Sequence, residues 1–366
     1  MSQSTGNSDS AVFAAYRGRR VLVTGHTGFK GSWLCEWLLA LGAEVTGLAL
    51  APDTNPSLFE QLGLGRRMNS ILGDIRNEGG VRRLVLETRP DRVFHLAAQP
   101  LVRRSYREPV LTWQTNVLGT IHLLEALREL TNPCVAVIVT TDKCYENREW
   151  VHGYREEDPL GGHDPYSSSK AGAEIAVAAW RRSYFKDSPV RLATARAGNV
   201  IGGGDWSEDR IFPDIIRALS RRQPVRVRNP RATRPWQHVL EPLGGYLTLA
   251  ARLAVAPAGQ GALASAFNFG PGHEANRTVR ELVEEVLRHW PGQWQDASDP
   301  NAVHEAGLLQ LSSDRAAALL GWSPVWGFAE AVRETVRWHH DAQDPDRVAA
   351  LTRDQIAAYQ ARAARG

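Results

Sequence analysis

A chain of 366 residues carrying 43 Lys and Arg against 40 Asp and Glu has a formal net charge of +3. That length can bury one large core or two modest ones, and that charge balance gives no ground for nucleic-acid or anionic-membrane binding. No apolar run approaches the ~20 residues a membrane helix needs. The three cysteines, Cys35, Cys134 and Cys144, have neither metal-like nor paired spacing, which fits a reducing cytoplasm and no metal site.

Residues 1–17 are mostly Ser, Gln, Asn and Ala without an apolar segment, so a loose tail is expected there rather than a signal peptide. Arg20 to Thr24 reads as a short strand, Ser32 to Leu41 as a helix stopped by Gly42, and Glu44 to Leu50 as a second strand. Between the first strand and the helix stands Gly25-His26-Thr27-Gly28-Phe29-Lys30-Gly31. Strand, glycine turn, helix and strand together make a dinucleotide-binding context. Glycines let the backbone approach a diphosphate, whose charge sits at a helix N-terminus.

Met68 to Leu72 and Arg92 to His95 are the next strands, followed by Gly73-Asp74-Ile75 and Leu96-Ala97-Ala98-Gln99 respectively. Pro109 to Leu130 is a long helix carrying Asn116 in an Asn-x-x-Gly-Thr pattern. Val137-Ile138-Val139-Thr140-Thr141-Asp142-Lys143-Cys144-Tyr145 is a β-branched run ending in polar side chains, as expected of a buried strand with a functional carboxyl end. Asp164-Pro165-Tyr166-Ser167-Ser168-Ser169-Lys170 then opens a helix to about Tyr184. Four-residue spacing puts Tyr166 and Lys170 on one face. An ammonium beside a phenol favours the phenolate, so Tyr166 is expected to accept a proton near neutral pH.

After a sixth strand at Val190 to Arg196, the alternation of strands and helices breaks down. Ile211 to Arg222 is a helix; Arg226, Arg228, Arg231 and Arg234 follow within nine residues, on and after a short strand at Val225 to Val227. Arginine forks suit a diphosphate. Later elements are a helix at Glu241 to Ala254, a strand at Phe267 to Phe269, a capping box at Thr278 to Glu281, and a helix at Gly327 to His340. The tail from Asp344 is Ala- and Arg-rich and helical in pattern at Thr352 to Ala364.

The Gly-x-x-Gly-x-x-Gly spacing resembles the extended short-chain dehydrogenase/reductase superfamily. The strings Thr141 to Tyr145, Asn147 to Trp150, Gly161 to Ser167, Arg196 to Trp206 and Arg234 to Pro242 resemble its CDP-glucose 4,6-dehydratase family, over about Arg19 to His340. The resemblance implies an α/β fold: a Rossmann-type doubly wound parallel sheet with a smaller mixed α/β C-terminal substrate lobe. The expected division is a tail at 1–17, a dinucleotide domain at 18–198 to which about 236–262 returns, a lobe at 199–341 and a helical tail at 342–366.

It further implies a cofactor site at Gly25, Thr27, Gly28, Phe29, Lys30, Gly31, Asp74, Ile75, Leu96, Ala97, Ala98, Gln99, Asn116, Thr140, Tyr166 and Lys170. The catalytic set it implies is Thr141, Asp142, Lys143, Tyr166 and Lys170. Asn199, Arg226, Arg234 and His238 are the expected substrate contacts, with Arg234 facing a diphosphate. NAD is the expected cofactor, with NADP left open. Ala49 stands where a ribose-binding carboxylate is common, and Lys30 could reach a 2′-phosphate.

The reaction so implied oxidises C4 of a nucleotide-linked hexose, probable choice CDP-D-glucose, eliminates water across C5 and C6, and returns the hydride to C6. Tyr166 takes the C4 hydroxyl proton, Lys143 the C5 proton, and Asp142 protonates the departing C6 hydroxyl. The alternatives are a nucleotide-sugar 4-epimerase, which shares Thr141, Tyr166 and Lys170, and a non-catalytic dinucleotide-binding scaffold. Pairing through the Pro109–Leu130 and Tyr166–Tyr184 helices implies a homodimer, with association of dimers left open and Trp180 and Tyr184 as contributors.

Overall fold

The computed structural model describes residues 12–256, 261–298 and 308–364. Its centre is a parallel sheet of seven strands: β1 (Arg20–Thr24), β2 (Glu44–Ala49), β3 (Asn69–Leu72), β4 (Arg92–His95), β5 (Cys134–Val139), β6 (Val190–Ala197) and β7 (Ala266–Phe269). They lie side by side in the order β7-β6-β5-β4-β1-β2-β3. The chain therefore runs outward in one direction through β3, crosses back to β4, and runs outward in the other. The order reverses between β1 and β4, the point at whose carboxyl ends sheets of this kind place their ligands.

The sequence explains why both faces of the sheet are covered. On β5, Val135, Val137 and Val139 point into one core, and Cys134, Ala136 and Ile138 into the other. The first core is closed by α1 (Phe29–Ala40), with Trp33 and Trp37 fully buried. The second is closed by α2 (Glu78–Thr88), α3 (Pro109–Arg128) and α4 (Pro165–Ser183). The expected long helix α3 contains one wider turn at Gln114–Leu118. Such turns re-aim a side chain within a helix, and here the buried Asn116 stands in it.

The lobe packs α5 (Ile211–Ser220), α7 (Val279–His289) and α8 (Phe328–Asp341) around Phe212, Ile216, Val283, Val286 and Val332. Between α5 and α7 in sequence, α6 (Leu240–Val255) packs on the sheet instead, through Leu240, Leu243 and Leu247. The capping box at Thr278 and Glu281 forms as its residue types dictate. Val225–Val227 is joined by Trp294–Asp296 in a small parallel pair.

The N-terminal segment departs from expectation, while the helix expected near the C-terminus forms. Of the loose tail expected at 1–17, residues 1–11 lie outside the described residues. Val12, Phe13 and Tyr16 are buried, and the Tyr16 hydroxyl donates to the Leu247 carbonyl at 2.6 Å. Two aromatic rings supply enough apolar surface to dock even a short segment. At the other end α9 (Val348–Ala363) buries Leu351, Ile356 and Tyr359.

Candidate active site

The glycine turn is shaped by close approach. Gly25 has φ +77°, and a Cβ there would lie 2.8 Å from the Ala97 nitrogen. A Cβ on Gly31 would strike the Gly25 carbonyl. Gly28 differs: a Cβ there would meet only the Gly25 oxygen, at 3.5 Å. Its missing side chain leaves exposed space at the N-terminus of α1, where first-turn N–H groups point outward. That combination fits a dinucleotide diphosphate. Thr27 donates to the Leu50 carbonyl at 2.9 Å and so ties the turn to the end of β2.

The opposite wall is fastened from behind. Thr24 bonds His95 at 2.7 Å and accepts from the Ala97 nitrogen at 3.2 Å. Asn116 accepts from the Gln99 nitrogen at 2.8 Å and donates to the Gln99 carbonyl and to Ser169. Leu96, Ala97 and Ala98, half-buried, thus form a flat backbone edge. Asp74 is gripped by Arg76, and Ile75 is buried against Gly119.

Lys30 finds a partner on α6. Its amine donates to the Tyr246 hydroxyl at 3.4 Å, toward the catalytic end of the cleft. Burial, with help from Arg210 and Lys170, pushes it down to about 7. The expectation that it reaches a ribose phosphate is corrected: the side chain leaves the first turn of α1 toward β5.

At the end of β5 the candidate catalytic residues converge. Tyr166, Lys170, Thr141 and Asp142 are all buried, and Lys143 is half-buried. Asp164 caps α4, accepting from the nitrogens of Tyr166 and Ser167 at 3.0 Å, which fixes where Tyr166 begins the helix. Lys170 donates to the Val139 carbonyl at 3.2 Å. Thr141 donates to Asp142 at 2.9 Å, and its hydroxyl lies near enough to the Tyr166 phenol to favour the phenolate. Thr140 donates to Glu174 at 2.5 Å.

Burial raises Asp142 above the ordinary carboxylate range, against Lys143, Thr141 and Arg234. A carboxyl kept protonated can donate, as an elimination requires. The tyrosine departs from expectation. Burial pushes its phenol up to about 12, and the Thr141 hydroxyl only partly opposes this. The Lys170 amine, which donates to the Val139 carbonyl and is itself pushed down to about 8 by burial, does not offset this. A further cation beside the phenol is what would reverse the sign.

The lobe supplies the other wall. Gly198 lets Asp142 lie against backbone, since a Cβ there would come 2.7 Å from its Oδ2; Asn199 follows, half-buried. Arg234 donates to the Thr233 carbonyl at 2.9 Å, and its charge reaches Asp142. Arg226 is exposed on its strand. His238 does not face the cleft. It is fully buried between the rings of Trp33 and Trp326, and burial lowers it to about 3. Gln237 and His238 are both fully buried on their short strand, so His238 takes a core position rather than the expected substrate contact.

Three residues went unforeseen. Arg210, paired with Asp205 at 3.1 Å, sends its charge toward Tyr166 and Lys30. Glu174 is buried one turn beyond Lys170, a spacing visible in sequence. Tyr246 reaches the site from α6, and nothing local marked it.

The sequence profile of the family described as GDP-mannose 4,6 dehydratase matches residues 22–335. The chain is 49% identical over 334 residues to the CDP-glucose 4,6-dehydratase of Salmonella typhimurium, covering 88% of this chain and 91% of that protein. Among solved structures, the dTDP-glucose 4,6-dehydratase DesIV of Streptomyces venezuelae, with NAD bound, superposes with a TM-score of 0.74 at 25% identity, covering 88% of this chain and 98% of the other. The NAD complex of Thermus thermophilus UDP-glucose 4-epimerase gives 0.73 at 28% identity, over 88% and 99%.

Proposed function

The chain belongs to the GDP-mannose 4,6 dehydratase family, and on that footing we propose that it converts CDP-D-glucose to CDP-4-keto-6-deoxy-D-glucose with NAD as cofactor. One observation carries the reading. A tyrosine–lysine pair and a buried carboxyl meet at one strand end, opposite a glycine turn open at Gly28. An epimerase has use for the pair alone; the buried Asp142 suits an elimination.

A nicotinamide bound there supplies a reversible store for two electrons, taken from C4 and returned at C6. Gly28 and the first turn of α1 would hold its diphosphate, and Leu96 to Gln99 would lie along its length. Tyr166 takes the C4 hydroxyl proton while Thr141 hydrogen-bonds that oxygen. With C4 a ketone, the C5 proton becomes acidic. Lys143 removes it, and Asp142 gives its proton to the C6 hydroxyl, which departs as water; Lys143 returns its proton to C5 as C6 is reduced. Arg234 and Arg210 stand where they can pair with the substrate diphosphate, with Asn199 beside them and Arg226 farther out on its exposed strand. His238 supports this wall from the core.

A homodimer through α3 and α4 is part of the proposal. Val110, Trp113, Leu118, Ile175 and Tyr184 are exposed apolar side chains on or next to those helices. Trp180 is bound to Glu125 within the chain, so Tyr184 is the better contributor. Among the described residues no helix is long and apolar enough to cross a membrane, and the three cysteines are buried and unpaired; a cytoplasmic enzyme is the matching setting.

The test is to incubate the purified protein and NAD with CDP-, dTDP-, GDP- and UDP-hexoses and weigh the products. Loss of one water from CDP-glucose is expected. Inversion at C4 without mass loss would make it an epimerase. Cofactor binding without turnover of any of the four would leave the scaffold reading.

A further inference from the structure

Beneath the tyrosine–lysine pair lies a charged group that the proposed chemistry does not use. Tyr166, Lys170 and Glu174 are spaced four residues apart along α4, and all three are buried on the face against β5. Each is matched to the end of that strand. Tyr166 meets Thr141, Lys170 donates to the Val139 carbonyl, and Glu174 accepts from Thr140 at 2.5 Å. Glu174 also accepts from Thr194 at 2.8 Å and from Arg196 at 2.9 Å, both on β6. Arg196 continues to the Tyr145 hydroxyl at 2.8 Å, and Tyr145 donates to Asn268 on β7 at 2.7 Å. One carboxylate thus joins a helix to two strands, and its chain of partners reaches a third.

A buried ion pair is weak evidence for stability, because desolvation offsets much of its attraction. Its placement suggests a different use. We infer that Glu174 is the positioning residue of the active site: it holds Lys170 as an ammonium and locks the strand end on which Thr141 and Asp142 stand. This rests on the reading of Tyr166 and Lys170 as the proton-handling pair. Burial favours a neutral Lys170, and the Glu174 charge one turn away is the largest opposing influence, followed by Cys144. Glu174 itself stays ionised: burial would neutralise it, but Arg196, Thr140 and Thr194 more than compensate.

The other charged or titratable groups facing Lys170 are few. Lys30 comes from the glycine turn, His95 from β4, Tyr166 from its own helix and Arg196 from β6 behind Glu174. Arg196 is positive, Lys30 is at most positive and is pushed down to about 7, and His95 is held neutral by burial, so none of these can replace the carboxylate.

The test compares kcat against pH, with CDP-glucose as substrate, for the wild type, Glu174→Gln and Arg196→Met. A lone Lys170 ionisation near 8 places an alkaline limb there. Glu174→Gln should move that limb down by about one unit, a loss of roughly fivefold at pH 8. Arg196→Met removes the first of the influences that keep Glu174 ionised, so the buried carboxyl should take up a proton and the limb should again move down. Glu174→Asp should recover part of the shift. The double variant E174Q/R196M buries no lone charge, so it should fold where the single variant fails, and its limb should still move down. Limbs unmoved in all four, with only thermal stability reduced, would overturn the inference. Should the wild type turn over none of the four nucleotide hexoses, the proposed function falls by itself. The Lys170 ionisation, read by NMR of 13C-labelled lysine in the same variants, then decides the role of Glu174 separately.

Discussion

The two walls of the cleft are built in opposite ways. On the sheet side, each candidate side chain is fixed by a strand end, a cap or a backbone partner: Lys170 by Val139, Tyr166 by the Asp164 cap, Thr140 by Glu174. On the lobe side, arginines stand on short strands and loops, and several already share carboxylates. Arg228 pairs with Asp209 and Asp214, and Arg103 reaches across from the sheet side to Asp209. The sheet wall suits chemistry that tolerates little displacement. The lobe wall suits capture of a charged ligand by groups that can exchange partners. If that division holds, damage to the sheet wall appears in kcat, and damage to the lobe wall in KM.

The hardest blow is Tyr166→Phe. It removes the proposed proton acceptor for the C4 hydroxyl while keeping the ring, so a loss of kcat of ~10³-fold or more is expected with KM little changed. Stopped-flow measurement of NADH absorbance should show no hydride transfer. A variant that still transfers hydride at a tenth of the normal rate would move the base elsewhere and break the comparison.

Glu241 tests the seam between the walls, where α6 meets the loop before α8. Its carboxyl accepts from the nitrogens of Val325 and Trp326 at 3.0 and 2.6 Å and from the Tyr359 hydroxyl at 3.1 Å. Burial nonetheless pushes it from an ordinary 4.5 up to about 7. A raised folded pKa means that folding takes up a proton. Its contribution to stability is therefore fully present below about 4.5 and is lost as pH rises through 7. The difference in unfolding free energy between wild type and Glu241→Gln should fall by about 3 kcal/mol over that window. The opposite slope in denaturant titrations would show that the two backbone donors win and keep the group ionised.

How much of this could be read beforehand follows the same division. The sheet wall was legible because its signals are local. The β-branched run Val137 to Val139, glycines at fixed spacing and Tyr166 four residues before Lys170 all act within one element. The Gly25 and Gly31 contacts explain why the spacing is so specific. What went wrong depended on partners far away in sequence. His238 looked like a ligand until Trp33 and Trp326, some 205 and 88 positions distant, closed over it. Lys30 was aimed at the wrong end of the cofactor because Tyr246 lies 216 residues on. The phenol of Tyr166 was expected near neutrality because a Tyr-x-x-x-Lys pattern does not encode how deeply the pair is buried.

The smallest predicted effects are the sharpest test of the lobe wall, because two arginines six residues apart should behave differently. Arg234 lies close enough to Asp142 for its charge to be felt there, and it stands beside Gly198 through Pro235. A charge-assisted hydrogen bond to a diphosphate contributes about 1.5–3 kcal/mol. Arg234→Ala should then raise the KM for CDP-glucose about tenfold to a hundredfold. Arg228 is 45% exposed and bound to two carboxylates at the cleft mouth. Exposed pairs contribute about 0–1 kcal/mol, so Arg228→Ala should move KM less than about fivefold, and less still in high salt. Equal losses for the two variants would place the diphosphate at the mouth, in the grip of Arg228 and Arg103. The lobe would then be capturing substrate before the sheet wall meets it, and the deep position assigned to Arg234 would have to be given up.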